Sequence, residues 1–168
     1  MIRKSFFSRY KIGNKTAIGK CLSIILSLDT GLDVNIVTVY FPCYRSSFSY
    51  SNDLAECLSY LEDVLSNGKP SVIIGDMNFP CDFNNEGFSQ CHNVLSCYRV
   101  FQCDEFINSE NCITYCNHSL NQFSFLDHMF VSDSIRQDIL HAEVHDTGVN
   151  LSDLIPVIYK FRLSLIHI

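Results

Sequence analysis

Hydrophobic and polar residues along this chain alternate in short blocks, a pattern typical of strands separated by turns. Apolar blocks rich in β-branched residues predict strands, and Asp29-Thr30-Gly31 predicts a turn after the first of them. The predicted strands lie at residues 19–28, 34–41, 71–76, 114–115, 125–131 and 156–163.

Other segments repeat their apolar residues at helical spacing. A helix is predicted from Asp53 to Leu65, with Asn52 or Asp53 as its N-cap. Its apolar stripe, interpreted as a core face, consists of Leu54, Cys57, Leu58, Leu61, Val64 and Leu65. The other predictions are a helix at 92–101, a helical turn at 134–139 and a loop at 79–91. Strands mixed with few helices favour an α/β sandwich of two sheets flanked by helices.

The strand at 71–76 carries the first candidate chemistry, because it ends in Gly-Asp-x-Asn with a Pro two residues later. Asp76 and Asn78 lie two residues apart, so on an extended backbone both side chains leave the same side. An acid and an amide at a strand terminus suit a hard cation and a phosphate oxygen. The alternative is a polar turn, since Asp and Asn favour turns.

Three further motifs place polar residues near the ends of predicted strands. They are Tyr-x-Pro at 40–42, Ser-x-x-Asp-His at 124–128 and Ser-Asp-x-x-Pro-Val at 152–157. Together with Gly-Asp-x-Asn, this series resembles the endonuclease/exonuclease/phosphatase superfamily. Within it, the chain looks most like the apurinic-type endonuclease domain of LINE retrotransposons, over a span from near Ile18 to Phe161.

The resemblance implies a partial four-layer α/β sandwich, with two packed sheets flanked by helices, that hydrolyses phosphodiesters with Mg²⁺ or Mn²⁺. DNA would be the substrate, and a linked reverse transcriptase would accompany the domain in the full-length parent. By resemblance, Asp76 activates the attacking water, Asn78 orients the phosphate and Tyr40 contacts it. The simpler interpretation of Tyr40 is an aromatic residue at a strand end.

The resemblance assigns roles to four more residues. Asp127 would orient a catalytic His, Asp153 would lie near the metal with Ser152 beside it, and Thr114 matches a Thr in the site of LINE-type members. The simpler interpretations are a turn cap for Asp127 and a helix cap or turn for Ser152 and Asp153. By strand alternation His128 points away from Asp127, so we interpret it as structural.

Two departures from the family pattern predict impaired activity. The final family motif reads Ser-Asp-His, but here position 154 is Leu, which can neither hydrogen-bond a phosphate nor carry a proton. Losing one such group costs on the order of a hundredfold or more in rate. The family also places a metal-binding Glu before the Tyr-x-Pro motif, whereas residues 1–39 contain no Glu. We therefore expect that the opening strands of the domain are missing.

Charge and cysteine content bear on the partners and the cellular location of the protein. Six of the twelve basic residues lie in the first 20, and all eighteen acidic residues follow them. These basic residues form either a solvent-exposed strand face or a contact with nucleic-acid phosphates. The nine cysteines show no disulfide framework, which favours a reduced, intracellular protein. The sequence has no apolar run of membrane-spanning length, so we expect a protein of the nucleus or cytoplasm without membrane association. Cys112, Cys116 and His118 lack the second ligand pair of a zinc finger.

A length of 168 residues indicates one domain, which we place at residues 1–162. Residues 163–168 form an apolar tail that resembles a translated sequencing adapter, with an ordinary strand extension as the alternative. Two alternatives to an endonuclease keep the same fold: a non-catalytic relic that binds nucleic acid, and a phosphatase.

Overall fold

The computed structural model describes residues 10–43, 48–107, 113–146 and 152–162. The strands in these ranges are β1 Tyr10–Ile18, β2 Cys21–Leu28, β3 Asp33–Tyr40, β4 Ser71–Asp76, β5 Val100–Gln102, β6 Tyr115–Asn117, β7 Gln122–Ser124, β8 Asp127–Ser132, β9 Ile139–Val144 and β10 Val157–Phe161. The helices are α1 Phe48–Leu65, α2 Glu86–Cys97 and α3 Asp133–Arg136, with a 3₁₀ turn at Asp104–Phe106. The tail at 163–168 and Cys112 lie outside the described residues.

Six strands form the main sheet in the order β1-β2-β3-β4-β8-β5. Only the central β3–β4 pair of this sheet is parallel, and α1 makes the crossover between these two strands. Strands β9 and β10 form a second, two-stranded sheet, and β6 and β7 form a separate hairpin. The architecture confirms the predicted mixed α/β fold with packed sheets.

The main sheet is covered on both faces, and strand alternation assigns each residue to one of them. Val37, Val39 and Ile73 pack with α1 and α2 on the helix face. Val34 and Val72 belong to a second core cluster that includes residues of β10. The predicted α1 stripe is buried as expected, since its six members are at most 8% exposed. In the part of the chain that the structure describes, none of the helices combines the length and hydrophobicity needed for a membrane-spanning segment.

Both predicted helix starts were wrong. Helix α1 begins at Phe48, so Asn52 and Asp53 lie inside it and neither caps it. Tyr50 is 9% exposed and packs into the core, and this packing extends the helix toward the N-terminus, before the residues predicted as its cap. Helix α2 begins at Glu86, within the predicted loop, because the Asn85 side chain accepts a hydrogen bond from the Phe88 amide at 3.0 Å.

The predicted ends of two segments were also wrong. Residues 100–102, predicted as helix, form β5, because the chain leaves α2 through Arg99 in a left-handed conformation (φ 54°). Residue Ile139, predicted in a helical turn, instead begins β9, a strand that the sequence pattern did not predict. Pairing with β10, together with the burial of Ile139 and Ala142, stabilises β9 despite its weak alternation.

Candidate catalytic site at the ends of three strands

Three of the predicted site residues lie side by side at one end of the main sheet. Tyr40 at the end of β3 pairs with Asp76 at the end of β4, and Asp76 pairs with Asp127 at the start of β8. Directly paired residues project from the same face of a sheet. By alternation with Val34 and Val72, this is the face that packs against the second sheet. The fold thus brings together side chains that are up to 87 positions apart in the sequence.

Gly75 makes this alignment possible, because no side chain fits at its position. A Cβ atom there would lie 1.9 Å from the carbonyl oxygen of Val39 on the neighbouring strand. The φ of 151° also disfavours other residues. The glycine of Gly-Asp-x-Asn is therefore required for β4 to approach β3 where Asp76 begins the site.

Asn78 joins the ends of β3 and β4 just after the paired residues. Its φ of 52° is in the left-handed region, which Asn tolerates better than most residues. Its amide nitrogen Nδ2 donates to the Phe41 carbonyl at 2.8 Å, and Oδ1 accepts from Cys43 Sγ at 3.0 Å. Its backbone N–H donates to Asp76 Oδ1 at 2.9 Å, so Asn78 also holds the carboxylate in place.

Thr114 lies beneath Asp127 and is fully buried. Its hydroxyl oxygen accepts hydrogen bonds from the backbone N–H groups of Leu126 at 2.9 Å and Asp127 at 3.2 Å. Oxygen Oδ2 of Asp127 is buried and has no hydrogen-bond partner in the structure. A buried carboxylate oxygen without a partner is costly, and it is a common feature of sites that bind a cation.

Burial dominates the electrostatics of the two carboxylates. It raises the pKa of Asp76, and the negative charge of Asp127 raises it further, against a hydrogen bond from the Asn78 backbone that lowers it. Burial likewise raises the pKa of Asp127, partly offset by its hydrogen bond with the Thr114 side chain. Adjacent carboxylates with raised pKa values are typical of acid–base and metal-binding sites.

The donor set fits a hard divalent cation. Asp76 and Asp127 offer oxygen ligands of the kind that Mg²⁺ and Mn²⁺ prefer, and a cation would offset their mutual repulsion and satisfy Asp127 Oδ2. Asp153, assigned to the metal by resemblance, is exposed. Among the described residues, the one group of three converging ligand atoms lies elsewhere in the fold and includes none of these three carboxylates.

The segment from Ser152 to Leu154 runs beside Thr114. Leu154 forms an isolated antiparallel bridge with Tyr115, and the carbonyl of Asp153 accepts from the Cys116 backbone N–H at 2.8 Å. The Leu154 side chain is 42% exposed. The structure thus places this segment near Asp127, but Leu154 brings no polar group to it.

A basic residue outside the four motifs lies beside Tyr40. The ammonium of Lys20 is 5.2 Å from the centre of the Tyr40 ring, a cation–π contact. Both residues line a pocket of about 230 Å³ that also includes Pro42 and Cys43. The concentration of basic residues near the start of the chain was the available signal, but only the β2–β3 pairing places Lys20 at the site.

His128 faces away from Asp127, as strand alternation predicted. It is 1% exposed and contacts Asp104 and the Phe79 carbonyl. No described histidine hydrogen-bonds Asp127 Oδ2. His145 follows β9 in the sequence, and its Nδ1 lies 4.0 Å from Glu143 Oε1.

Comparisons with known proteins find similar folds but no similar sequences. No protein-family model matches the chain, and no curated protein is similar to it in sequence. Solved structures match with high probability. One is an AP endonuclease from Archaeoglobus fulgidus, with a TM-score of 0.67, 13% identity, and coverage of 92% of this chain and 72% of that one. Another is the endonuclease domain of TRAS1, a telomere-specific non-LTR retrotransposon, with a TM-score of 0.66, 13% identity, and coverage of 92% and 69%.

A third match is a 3′ phosphatase from Neisseria bound to a product DNA hairpin. The TM-score is 0.64 at 15% identity, and the match covers 83% of this chain and 64% of that one. The chain therefore spans less than two thirds of the length of this structure. At these identities the likeness concerns the fold, and it confirms the fold that the four sequence motifs implied.

Proposed function

Because the chain has the endonuclease/exonuclease/phosphatase fold, we propose that it derives from a metal-dependent DNA endonuclease of the LINE retrotransposon type. The observation that carries this proposal is the alignment of Tyr40, Asp76 and Asp127 on neighbouring strands, with Asn78 just beyond β4. The likeness to the TRAS1 endonuclease domain supports the retrotransposon assignment. In the full-length parent, a linked reverse transcriptase would use the nicked DNA as a primer.

The proposed chemistry follows from the positions of these groups. Asp76 orients the attacking water and accepts its proton. Asn78 and Tyr40 orient the phosphate at the strand ends. A divalent cation bound at Asp76 and Asp127 would stabilise the negative charge that develops on the phosphoryl and leaving oxygens. Thr114 positions Asp127 through two hydrogen bonds to the adjacent backbone.

We propose that this activity is impaired by Leu154. The segment that contains it lies next to Thr114 and so close to Asp127, where the family pattern has a His. A leucine leaves Asp127 without a ring to orient and the phosphate without a donor. Loss of one such group lowers the rate by about a hundredfold or more.

The impairment makes a non-catalytic nucleic-acid-binding relic the second candidate. Lys20 lies beside Tyr40, and their contact does not involve Leu154. Phosphate binding by these two residues would therefore be retained. A phosphatase is a further candidate, because one protein with this fold is a 3′ phosphatase. The substrate of a phosphatase would need to reach the same carboxylates as DNA. Assays with the two kinds of substrate therefore distinguish the phosphatase from the endonuclease.

The direct experiment restores the missing group. The full chain and its Leu154→His variant are incubated with supercoiled plasmid and Mg²⁺, and nicked circles are counted over time. We expect Leu154→His to nick at least about tenfold faster than the wild type, because the new imidazole supplies a group that can carry a proton in the segment beside Thr114. Addition of EDTA should abolish the difference.

Two controls make the result specific. The double variant Leu154→His/Asp76→Asn should lose the gained activity. Leu154→Gln should gain little, because an amide can donate a hydrogen bond to the phosphate but cannot take up or give up a proton. Equal nicking by Leu154→His and the wild type, in folded proteins, would contradict the endonuclease proposal. Retained DNA binding without nicking would then favour the relic, and release of phosphate from a 3′-phosphorylated oligonucleotide would favour the phosphatase.

A further inference from the structure

Two buried cysteines face each other between the main sheet and helix α1. Cys21 is the first residue of β2 and is 2% exposed, and Cys57 in α1 is 5% exposed. Both belong to the core cluster on the helix face of the sheet. Their side chains share a hydrogen bond, so the two sulfur atoms are in direct contact.

A contact on one side of the pair independently sets its position. The Tyr60 hydroxyl donates to Ser23 Oγ at 2.8 Å. Tyr60 lies three residues after Cys57, and residues at this spacing share a face of a helix. Ser23 lies two residues after Cys21, and residues at this spacing share a face of a strand. The hydrogen bond between Tyr60 and Ser23 therefore directs the two cysteines toward each other.

A contact on the other side of the pair involves the turn before β2. A Cβ atom built on Gly19 would lie 3.8 Å from Oε1 of Glu56, the residue that precedes Cys57. Helix α1 and strand β2 run in the same direction, because each is antiparallel to β3. The contacts of residue 19 with 56 and of residue 23 with 60 thus enclose the cysteine pair.

Two thiols in contact can be inert core side chains, metal ligands or the precursors of a disulfide. Among the described residues, no third ligand atom of the kind that zinc needs converges on these two sulfurs. A disulfide needs only the two sulfurs, brought to about 2.05 Å from each other. The small side chains of Cys21 and Ser23 favour this, because they let α1 approach β2 closely.

The hydrogen bond between the thiols gives them different reactivities. Donation by the Cys21 thiol lowers the pKa of Cys57 below its ordinary value, although burial opposes the effect. The same hydrogen bond, together with burial, raises the pKa of Cys21. Because the thiolate is the reactive form of cysteine, Cys57 would react first and Cys21 would resolve the product.

We propose that Cys21 and Cys57 are a redox pair that hydrogen peroxide converts to a disulfide joining β2 to α1. The Cys57 thiolate attacks one peroxide oxygen and the O–O bond breaks, which leaves a sulfenic acid and hydroxide. The Cys21 sulfur then attacks the Cys57 sulfur and displaces the sulfenic oxygen, which leaves as water. In total, two thiols and one peroxide give one disulfide and two waters, so two electrons pass from sulfur to oxygen.

The link would join two walls of the pocket beside Tyr40. Lys20 and Asp53 both line this pocket. Lys20 directly precedes Cys21, and Asp53 lies about one helical turn before Cys57. Oxidation would therefore fix the two walls relative to each other, and a thiol reductant would release them.

The test uses the purified, reduced full chain in native buffer and does not depend on nuclease activity. The protein is treated with hydrogen peroxide, its free thiols are blocked with iodoacetamide in urea, and its peptides are analysed by mass spectrometry. We expect the peptides that contain Cys21 and Cys57 to be joined, with a mass lower by two hydrogens than their sum. Oxidation should raise the unfolding midpoint by about 5–10 °C, and dithiothreitol should reverse both changes.

Matched variants assign the link. The exposed Cys43 lies close to Cys21 in the sequence, so Cys43→Ser should keep the joined peptides. Cys57→Ala should lose both the joined peptides and the shift in midpoint. Cys91→Ala removes another buried cysteine of the same core cluster and should keep both.

The peptide analysis of the wild type decides the proposal even where Cys57→Ala does not fold. Folded protein that keeps Cys21 and Cys57 as free thiols after peroxide treatment would overturn the proposal. Oxidation of Cys57 to a sulfinic acid while Cys21 stays reduced would also overturn it, because the two sulfurs would then be unable to join. A disulfide between either residue and a different cysteine would contradict the assignment of the pair.

Discussion

Asp76 and Asp127 are direct partners across β4 and β8, so two carboxylates emerge side by side from the same face of the sheet. Each lies close enough to the core for burial to raise its pKa, and the charge of Asp127 adds to the effect at Asp76. Such a pair costs stability when no cation is bound, and natural proteins keep it where function requires it.

Asp76→Asn should therefore stabilise the metal-free protein at pH 7, by about 0.5–2 kcal/mol. The amide oxygen can still accept from the Asn78 backbone, while the repulsion of Asp127 is removed. Chemical denaturation in EDTA measures the difference. Asp63→Asn, on the exposed face of α1, is the control and should change little.

The pH dependence of the free energy of unfolding tests the electrostatic cause of this prediction. The pKa of Asp76 is raised in the folded state above the ordinary value of 3.8, so the folded protein binds the proton more tightly than the unfolded chain. Stability of the wild type then falls as the pH rises from about 3.8 through the folded-state pKa. The advantage of Asp76→Asn should be full above that range and vanish below it. A constant advantage at all pH values would contradict the electrostatic cause.

Gly75→Ala should destabilise the fold by about 3 kcal/mol, because the new methyl group would lie 1.9 Å from the Val39 carbonyl oxygen. Urea denaturation measures the change. Gly13→Ala in β1 is the matched control, since its Cβ would lie 3.5 Å from Ile25, an ordinary contact. A similar effect of the two substitutions would refute the role assigned to the close approach of β3 and β4.

Thiol reactivity should follow burial among the described cysteines, all of which are free. Cys43 and Cys97 are exposed and should react with iodoacetamide within minutes in the native protein. Burial raises the pKa of Cys91 and of Cys103 to about 12, so neither forms appreciable thiolate at pH 8. Peptide mapping by mass spectrometry reads each site, and labelling in urea should remove the difference.

Lys20→Gln should weaken binding of single-stranded or duplex DNA if the pocket beside Tyr40 holds a phosphate. Removal of one phosphate contact lowers the slope of log K against log salt by about 0.7–0.9. Fluorescence anisotropy at several salt concentrations measures this slope. Lys160→Gln on the exposed side of β10 removes the same charge and should leave the slope unchanged. Equal slopes for the wild type and both variants would exclude Lys20 from the interface.

The sequence by itself determined three central strands and implied the fold. Runs of β-branched residues predicted β3, β4 and β8 within about two residues, and the four short motifs implied the fold that the structures of similar proteins confirm. This worked because strand burial and turn chemistry are local properties. The departure of Leu154 from the motif was likewise visible in the sequence.

Only the tertiary structure decided which distant residues meet. The pairing of β4 with β8 placed Asp127 beside Asp76, and the β2–β3 pairing brought Lys20 to Tyr40. The contact between the Cys81 sulfur and the His128 ring likewise joins a loop and a strand 47 positions apart. Register between strands and the positions of loops follow from packing of the whole core, a long-range property that no local pattern contains.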